Sequence, residues 1–205
     1  MLAPPTVQAN RALSLFDSPQ RLVISYIWDL PVPSYQGAKG AVLDGWSISG
    51  ITTFQSGFPI RITSSDDNEL MYSASFEYPG EPNQVLPFTT LKPQTNANYY
   101  FNPAIYTNDP TSINPSTGLP LLGTIGNAKR TVCCGPGINN WDFTVMKNNK
   151  IGERVNMQFR TDFFNLFNHT QFYNPDGNIS DGVSFGRINQ AREPRLIQFA
   201  LKFSF

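Results

Sequence analysis

The final eleven residues, Arg195 to Phe205, alternate strictly in polarity. Ile197, Phe199, Leu201, Phe203 and Phe205 share one parity; Leu196, Gln198, Ala200, Lys202 and Ser204 share the other. A β-strand sends successive side chains to opposite faces, so this stretch reads as a strand with one fully apolar face and one mostly polar face. A helix would mix the two sets around its circumference. The apolar parity runs to Phe205 itself, although chain ends are ordinarily frayed and polar. Burying these five large side chains contributes about 10 kcal/mol, at ~2 each. Left in water, the same stripe would be an edge hazard. At about 3.3 Å per residue and a tilt of ~45°, such a strand crosses about 25 Å, the height of a membrane barrel's apolar band.

The alternation recurs four times upstream. Leu22, Ile24, Tyr26, Trp28 and Leu30 oppose Val23, Ser25, Ile27 and Asp29. Trp46, Ile48, Gly50, Thr52 and Phe54 oppose Ser47, Ser49, Ile51, Thr53 and Gln55. Trp141, Phe143 and Val145 oppose Asp142, Thr144 and Met146. Val155, Met157, Phe159, Thr161 and Phe163 oppose Arg154, Asn156, Gln158, Arg160 and Asp162. The segment "SGFPIRIT" is expected to extend the second strand, with Pro59 marking a bulge or bend.

Connections alternate in length. "KNNKIG" reads as a tight turn between the third and fourth strands, and "PVPSYQGAKGAVL" as a moderate link between the first and second. Segments 64–139 and 169–194 are long and rich in Pro, Gly, Asn and Ser. A compact soluble domain seldom carries structureless loops of that length. In an up-and-down sheet all long loops emerge at one end and all turns at the other, the asymmetry of outer-membrane barrels. If the last strand descends to the periplasm, Trp28 and Trp46 fall at that level with Phe203 and Phe205. Trp141, Phe163 and Phe167 then fall at the other end, completing two aromatic girdles. Arg154, Arg160 and Asp162 alternate onto the polar, lumen-facing side. There they could line a path, or simply form a solvated ladder.

Composition agrees. Charged residues are 15% of the chain, aromatic residues 13%, and fifteen cations balance fifteen anions. Zero net charge argues against a nucleic-acid partner. The start of the chain lacks the pattern of a signal peptide, and no apolar run approaches a transmembrane helix. Cys133 and Cys134 are adjacent, a spacing that rarely pairs and that suits no zinc site, so they read as two loop thiols. His169 is the sole histidine and has no nearby partners in sequence. "SSDDNE" lacks the spaced ligands of a calcium loop. "NHT" and "NIS" match glycosylation acceptors, which mean nothing in a bacterial envelope without that machinery. No catalytic motif, cofactor motif or metal motif appears, so no enzyme is expected.

The stretch "GNAKRTVCCGPGINNWDFTVMKN", followed by "ERVNMQFRTDFFNLFNHTQFYNP" and "FGRINQAREPRLIQFALKFSF", resembles the C-terminal end of TonB-dependent outer-membrane receptors. It is similar above all to the Oar-like group, which carries a carboxypeptidase-regulatory-like domain. "DSPQRLVISYIWDLPVP" and "LDGWSISGITTFQSGFPIRIT" look like preceding barrel strands of that group. The cysteine pair departs from the group's pattern. The resemblance implies that Ile197, Phe199, Leu201, Phe203 and Phe205 are read by the barrel-assembly machinery, which adds a strand by backbone pairing and selects it by alternate side chains. It also implies a plug domain and TonB as partners, reached through an N-terminal part, with Met1 not the native start.

The expectation is therefore an all-β chain: an antiparallel up-and-down meander of about five strands, a partial segment of a transmembrane β-barrel with long extracellular loops. Residues 1–19 would be a truncated loop or linker and 20–205 the barrel segment, in the bacterial outer membrane and in contact with its lipid. Its parent would take up a ligand such as an oligosaccharide, peptide or iron chelate. A non-transporting structural or adhesive barrel and a soluble β-sandwich binding module are the alternatives.

Overall fold

The computed structural model describes residues 11–32, 35, 37–65, 80–152 and 154–205. The chain divides into two compact units. A sheet unit comprises Gln20–Gln55, Ile138–Gln171 and Arg192–Phe205; a loop unit comprises Met1–Pro19, Ser56–Gly137 and Phe172–Ala191. Numbered along the chain, the sheet unit holds β1 (Arg21–Asp29), α1 (Ala38–Leu43), β2 (Trp46–Gln55), β7 (Ile138–Ile151), β8 (Val155–Phe164) and β9 (Leu196–Ser204). The loop unit holds β3 (Ile60–Arg61), β4 (Asn83–Gln84), β5 (Tyr106–Thr107) and β6 (Thr131–Val132). No helix among the described residues is long and apolar enough to cross a membrane.

The sheet unit is one five-stranded sheet in the order β1-β2-β7-β8-β9, antiparallel throughout. This is the expected up-and-down meander. Its register settles the faces. Directly opposed residues of an antiparallel pair project to the same side. Trp28 opposes Ile48, Ile48 opposes Val145, Val145 opposes Thr161, and Thr161 opposes Phe199. All five apolar parities therefore land on one face. On the other, Ile27, Ser49, Thr144, Asp162 and Gln198 align in a single cross-strand row. One slipped residue between any two strands would have scrambled both faces.

Several local expectations are corrected. "KNNKIG" is mostly strand: Asn148 to Ile151 pair with Gln158 to Val155, and the turn is confined to the residues about Gly152. Ladder bonds use only backbone groups, so polar side chains do not end a strand that has a partner. Gly152 supplies the turn's positive φ of 68°. The β1–β2 link contains α1. "SGFPIRIT" does not extend β2, which ends at Gln55; Ile60–Arg61 instead pairs with Thr131–Val132 in a separate ladder. β8 agrees with the alternation read to Phe163: it ends at Phe164, and Asn165 takes a left-handed φ of 51°.

The long connections are not structureless. Ile60, Ile62, Phe101, Ile105, Tyr106, Ala128, Val132 and Phe185 form a buried core within the loop unit. Phe101 is at its centre, with ring centroids 5.2 Å from Phe185, 5.5 Å from Phe88 and 6.1 Å from Tyr106. Two short ladders, β3–β6 and β4–β5, stitch its segments together. The segment before β1 takes part as well: the Thr131 hydroxyl donates to the Leu13 carbonyl at 3.2 Å. Cys133 and Cys134 lie side by side in the loop unit, across a cis peptide bond. That bond sets the two Cα atoms 3.0 Å apart, closer than a trans link between neighbours allows.

Candidate functional site

Two surfaces of the sheet unit and one groove of the loop unit gather the chemistry of this chain. The first surface is the apolar face with its last strand. Every residue of β9 is exposed, and Phe199 and Leu201 remain 68% and 56% accessible. Ile197, Phe199, Leu201 and Phe203 lie along one side of β9, and Phe205 lies one residue beyond it, 97% exposed. Phe199 stacks on Phe159 of β8 at 6.3 Å. Along its other edge β9 has no strand partner among the described residues, so its outward N–H and C=O groups are free to accept one.

The aromatic positions divide between the ends of the sheet. Trp28 is the penultimate residue of β1 and Trp46 opens β2, at the end that holds the β7–β8 turn. Trp141 is near the start of β7, at the opposite end, between Phe54 at 5.9 Å and Phe167 at 5.5 Å. Phe167 in turn stacks on His169 at 5.8 Å, which places the lone histidine in an aromatic cluster. Phe163 stands apart from that cluster, opposed to Phe143 and Ile197. Asn165 shapes the corner after β8: its amide N–H donates to Asp142 Oδ1, and its side chain bonds the His169 backbone at 3.0 Å in both directions.

The second surface is the polar face. Arg160 Nε donates to Asp162 Oδ1 at 2.8 Å, and the Thr144 hydroxyl donates to the same oxygen at 2.6 Å. Gln158 Nε2 donates to Asn148 Oδ1 at 2.8 Å. Arg160 and Asp162 are thus brought together, on the parity the sequence indicates. Arg154 is not: it belongs to the turn before β8, exposed, because the ladder begins only at Val155. Near the same end a polar concavity of about 350 Å³ is lined by Asn148, Lys150, Asn156, Gln158, Lys202 and Ser204, with Asn149.

The loop unit contains a groove of about 1080 Å³. Gln84, Asn114, Ser116, Thr117 and Asn127 supply its polar groups, and Phe88 and Ile125 its apolar wall. The amides are held in place. Asn127 Oδ1 accepts from the Gln84 N–H at 2.6 Å, and Asn114 Nδ2 donates to the Ile125 carbonyl at 3.1 Å. Glu81 at the rim is paired with Arg130 at 2.8 Å. Sequence reading missed this groove, because its residues come from segments more than 40 positions apart and match no motif.

Titratable groups of the loop unit are tuned by local structure. The Thr111 backbone N–H and hydroxyl both donate to Asp109 and hold its carboxyl below the usual range. Burial and the nearby negative charge of Asp176 push Asp181 upward. Burial drives the Tyr106 phenol up to about 12. Among the described residues no group of three or more His, Cys, Asp or Glu could hold a metal ion. Most of the acidic "SSDDNE" stretch, from Asp66 to Glu69, lies outside the described residues. Asn178, from the second acceptor-like triplet, caps the 3₁₀ turn Ile179–Ser184 by accepting from the Ser180 N–H.

A family model described as an outer membrane beta barrel domain matches residues 2–198. No curated protein and no solved structure gives a significant match. The family match spans nearly the whole chain, and its architecture agrees with the five-stranded meander and its single apolar face. The chain belongs to the outer membrane β-barrel domain family, and its place is the bacterial outer membrane.

Proposed function

We propose that this chain forms part of the wall and the ligand-capturing loops of a TonB-dependent outer-membrane receptor of the Oar-like type. Its role is transport and not catalysis. The observation that carries the reading is the pairing of a lipid-compatible sheet with folded long connections. A wall needs only its apolar face; a groove of about 1080 Å³ with fixed amides beside an aromatic ring belongs to a surface that binds something. In this reading the loop unit faces the exterior, and a plug domain and TonB serve the whole receptor as partners. The apolar side of β9, ending in Phe205, is the segment read by the barrel-assembly machinery.

The test uses cells bearing the full receptor and two fluorescent probes, a mixed oligosaccharide pool and an iron chelate. A proton uncoupler should abolish accumulation of label in the periplasm while surface capture persists. Equal capture with no uncoupler-sensitive accumulation would replace transport with the alternative, a non-transporting barrel that binds surfaces.

A further inference from the structure

The β1–β2 connection contains a feature that wall and groove leave unused. The carbonyls at the C-terminal end of α1 are held by two side chains. Trp46 Nε1 donates to the Val42 carbonyl at 2.8 Å, and Lys147 Nζ donates to the Asp44 carbonyl. Trp46 and Lys147 oppose each other directly in the β2–β7 ladder, and both belong to the apolar face. The Lys147 ammonium lies 5.5 Å from the Trp46 ring centroid, and the residue is only 7% exposed. Asp44 also accepts from the Tyr35 N–H at 3.1 Å, which closes the segment on itself.

These bonds draw α1 against the apolar wall and not across the polar face. A cation on a lipid-facing strand is costly unless it is near the interface and paired. Lys147 meets both conditions, because α1 covers it near the turn end of its strand. The cover is itself apolar. Val42 and Leu43 are exposed, as are Tyr35 and the nearby Trp28, while Lys39 offers a cation on the same segment. α1 therefore sets exposed apolar residues beside Trp46 of β2 and Lys147 of β7, on the apolar face.

We infer that Tyr35 and the segment from Gly37 to Trp46 form an interfacial foot, lying in the headgroup layer of the phospholipid leaflet at the turn end of the barrel. Val42 and Leu43 reach the upper acyl chains, and Lys39 stays with the phosphates. Short helical segments of this kind bury their apolar side about 5–10 Å into the boundary between headgroups and acyl chains. The inference rests on the lipid-facing reading of the sheet, and its test separates the two.

The full-length parent protein, in a Cys133→Ser/Cys134→Ser background, is reconstituted into phosphatidylethanolamine–phosphatidylglycerol vesicles. An environment-sensitive fluorophore is attached at Val42→Cys, Leu201→Cys or Thr117→Cys in turn. Quenching by nitroxide lipids with shallow or deep labels is compared with quenching by aqueous iodide. The foot predicts that position 42 is quenched most by the shallow lipid label and is protected from iodide relative to position 117, while position 201 is quenched by lipid. Lipid quenching at 201 with iodide-like exposure at 42 overturns the foot alone. No lipid quenching at either position overturns the lipid-facing reading and the foot together.

Discussion

At the residue scale, Asp162 anchors the polar face. One carboxylate oxygen accepts from both Thr144 and Arg160, and the Asp162 side chain is 11% exposed against 49% for Arg160. Desolvation decides which partner matters more. Removing the acceptor orphans two donors, whereas a half-exposed arginine can turn to water. Asp162→Ala should cost about 1–3 kcal/mol, and Arg160→Gln no more than about 1, as read from urea midpoints in detergent micelles. Tyr106 carries the opposite expectation. Its hydroxyl is buried with no hydrogen-bond partner among the described residues, and its pKa rises from 10.0 to about 12. Folding holds that proton more tightly than the unfolded chain does. The stability is therefore whole below the ordinary value and is lost as pH climbs from about 10 through about 12. Tyr106→Phe should leave neutral-pH stability unchanged or slightly higher and reduce the alkaline loss, as shown by unfolding midpoints compared across that window.

At the element scale, the strands were legible because period two depends only on which side chains share a face. Apolar parities read from 22–30, 46–54, 141–145, 155–163 and 197–205 fall on one face of the sheet. Register was not legible, since it depends on which strands meet. Gly50 shows what the pairing adds. It opposes Tyr26, and a Cβ on Gly50 would come within 2.7 Å of the tyrosine ring and of the Asp142 carbonyl. The ring covers the gap that the glycine leaves in the wall. Gly50→Val should force Tyr26 aside at a cost of about 1–3 kcal/mol, seen as a lower thermal midpoint and an altered near-ultraviolet tyrosine signal. For β9, deletion of Phe205 from the full-length barrel protein should lower outer-membrane yield without lowering synthesis. Unchanged yield on quantitative immunoblots of membrane fractions would contradict the proposed role of Phe205 in assembly.

At the scale of the whole molecule, β1 and β9 each leave one edge without a strand partner among the described residues, so the five strands alone do not close. Lipid offers no hydrogen bonds to an open edge, and further strands must meet these edges in the membrane. The loop unit was the least legible part of the chain. Its core draws Ile60 and Ile62 from one segment, Phe101 to Tyr106 from another, then Ala128, Val132 and Phe185. Each piece is too short to show a period, and the Pro, Gly and Asn between them mimic an unstructured linker. The fixed amides of its groove were illegible for the same reason: Gln84 and Asn127 meet only after the chain folds.

The central claim is that one face of the sheet meets lipid and the other meets polar surroundings. A nitroxide scan of positions 196 to 205 in the bilayer-embedded, full-length barrel tests it most directly, using oxygen as the lipid-soluble relaxer and a nickel chelate as the aqueous one. Oxygen accessibility should peak at 197, 199, 201 and 203, and nickel accessibility at 198, 200, 202 and 204. A flat profile, or one with the two parities exchanged, would contradict the account.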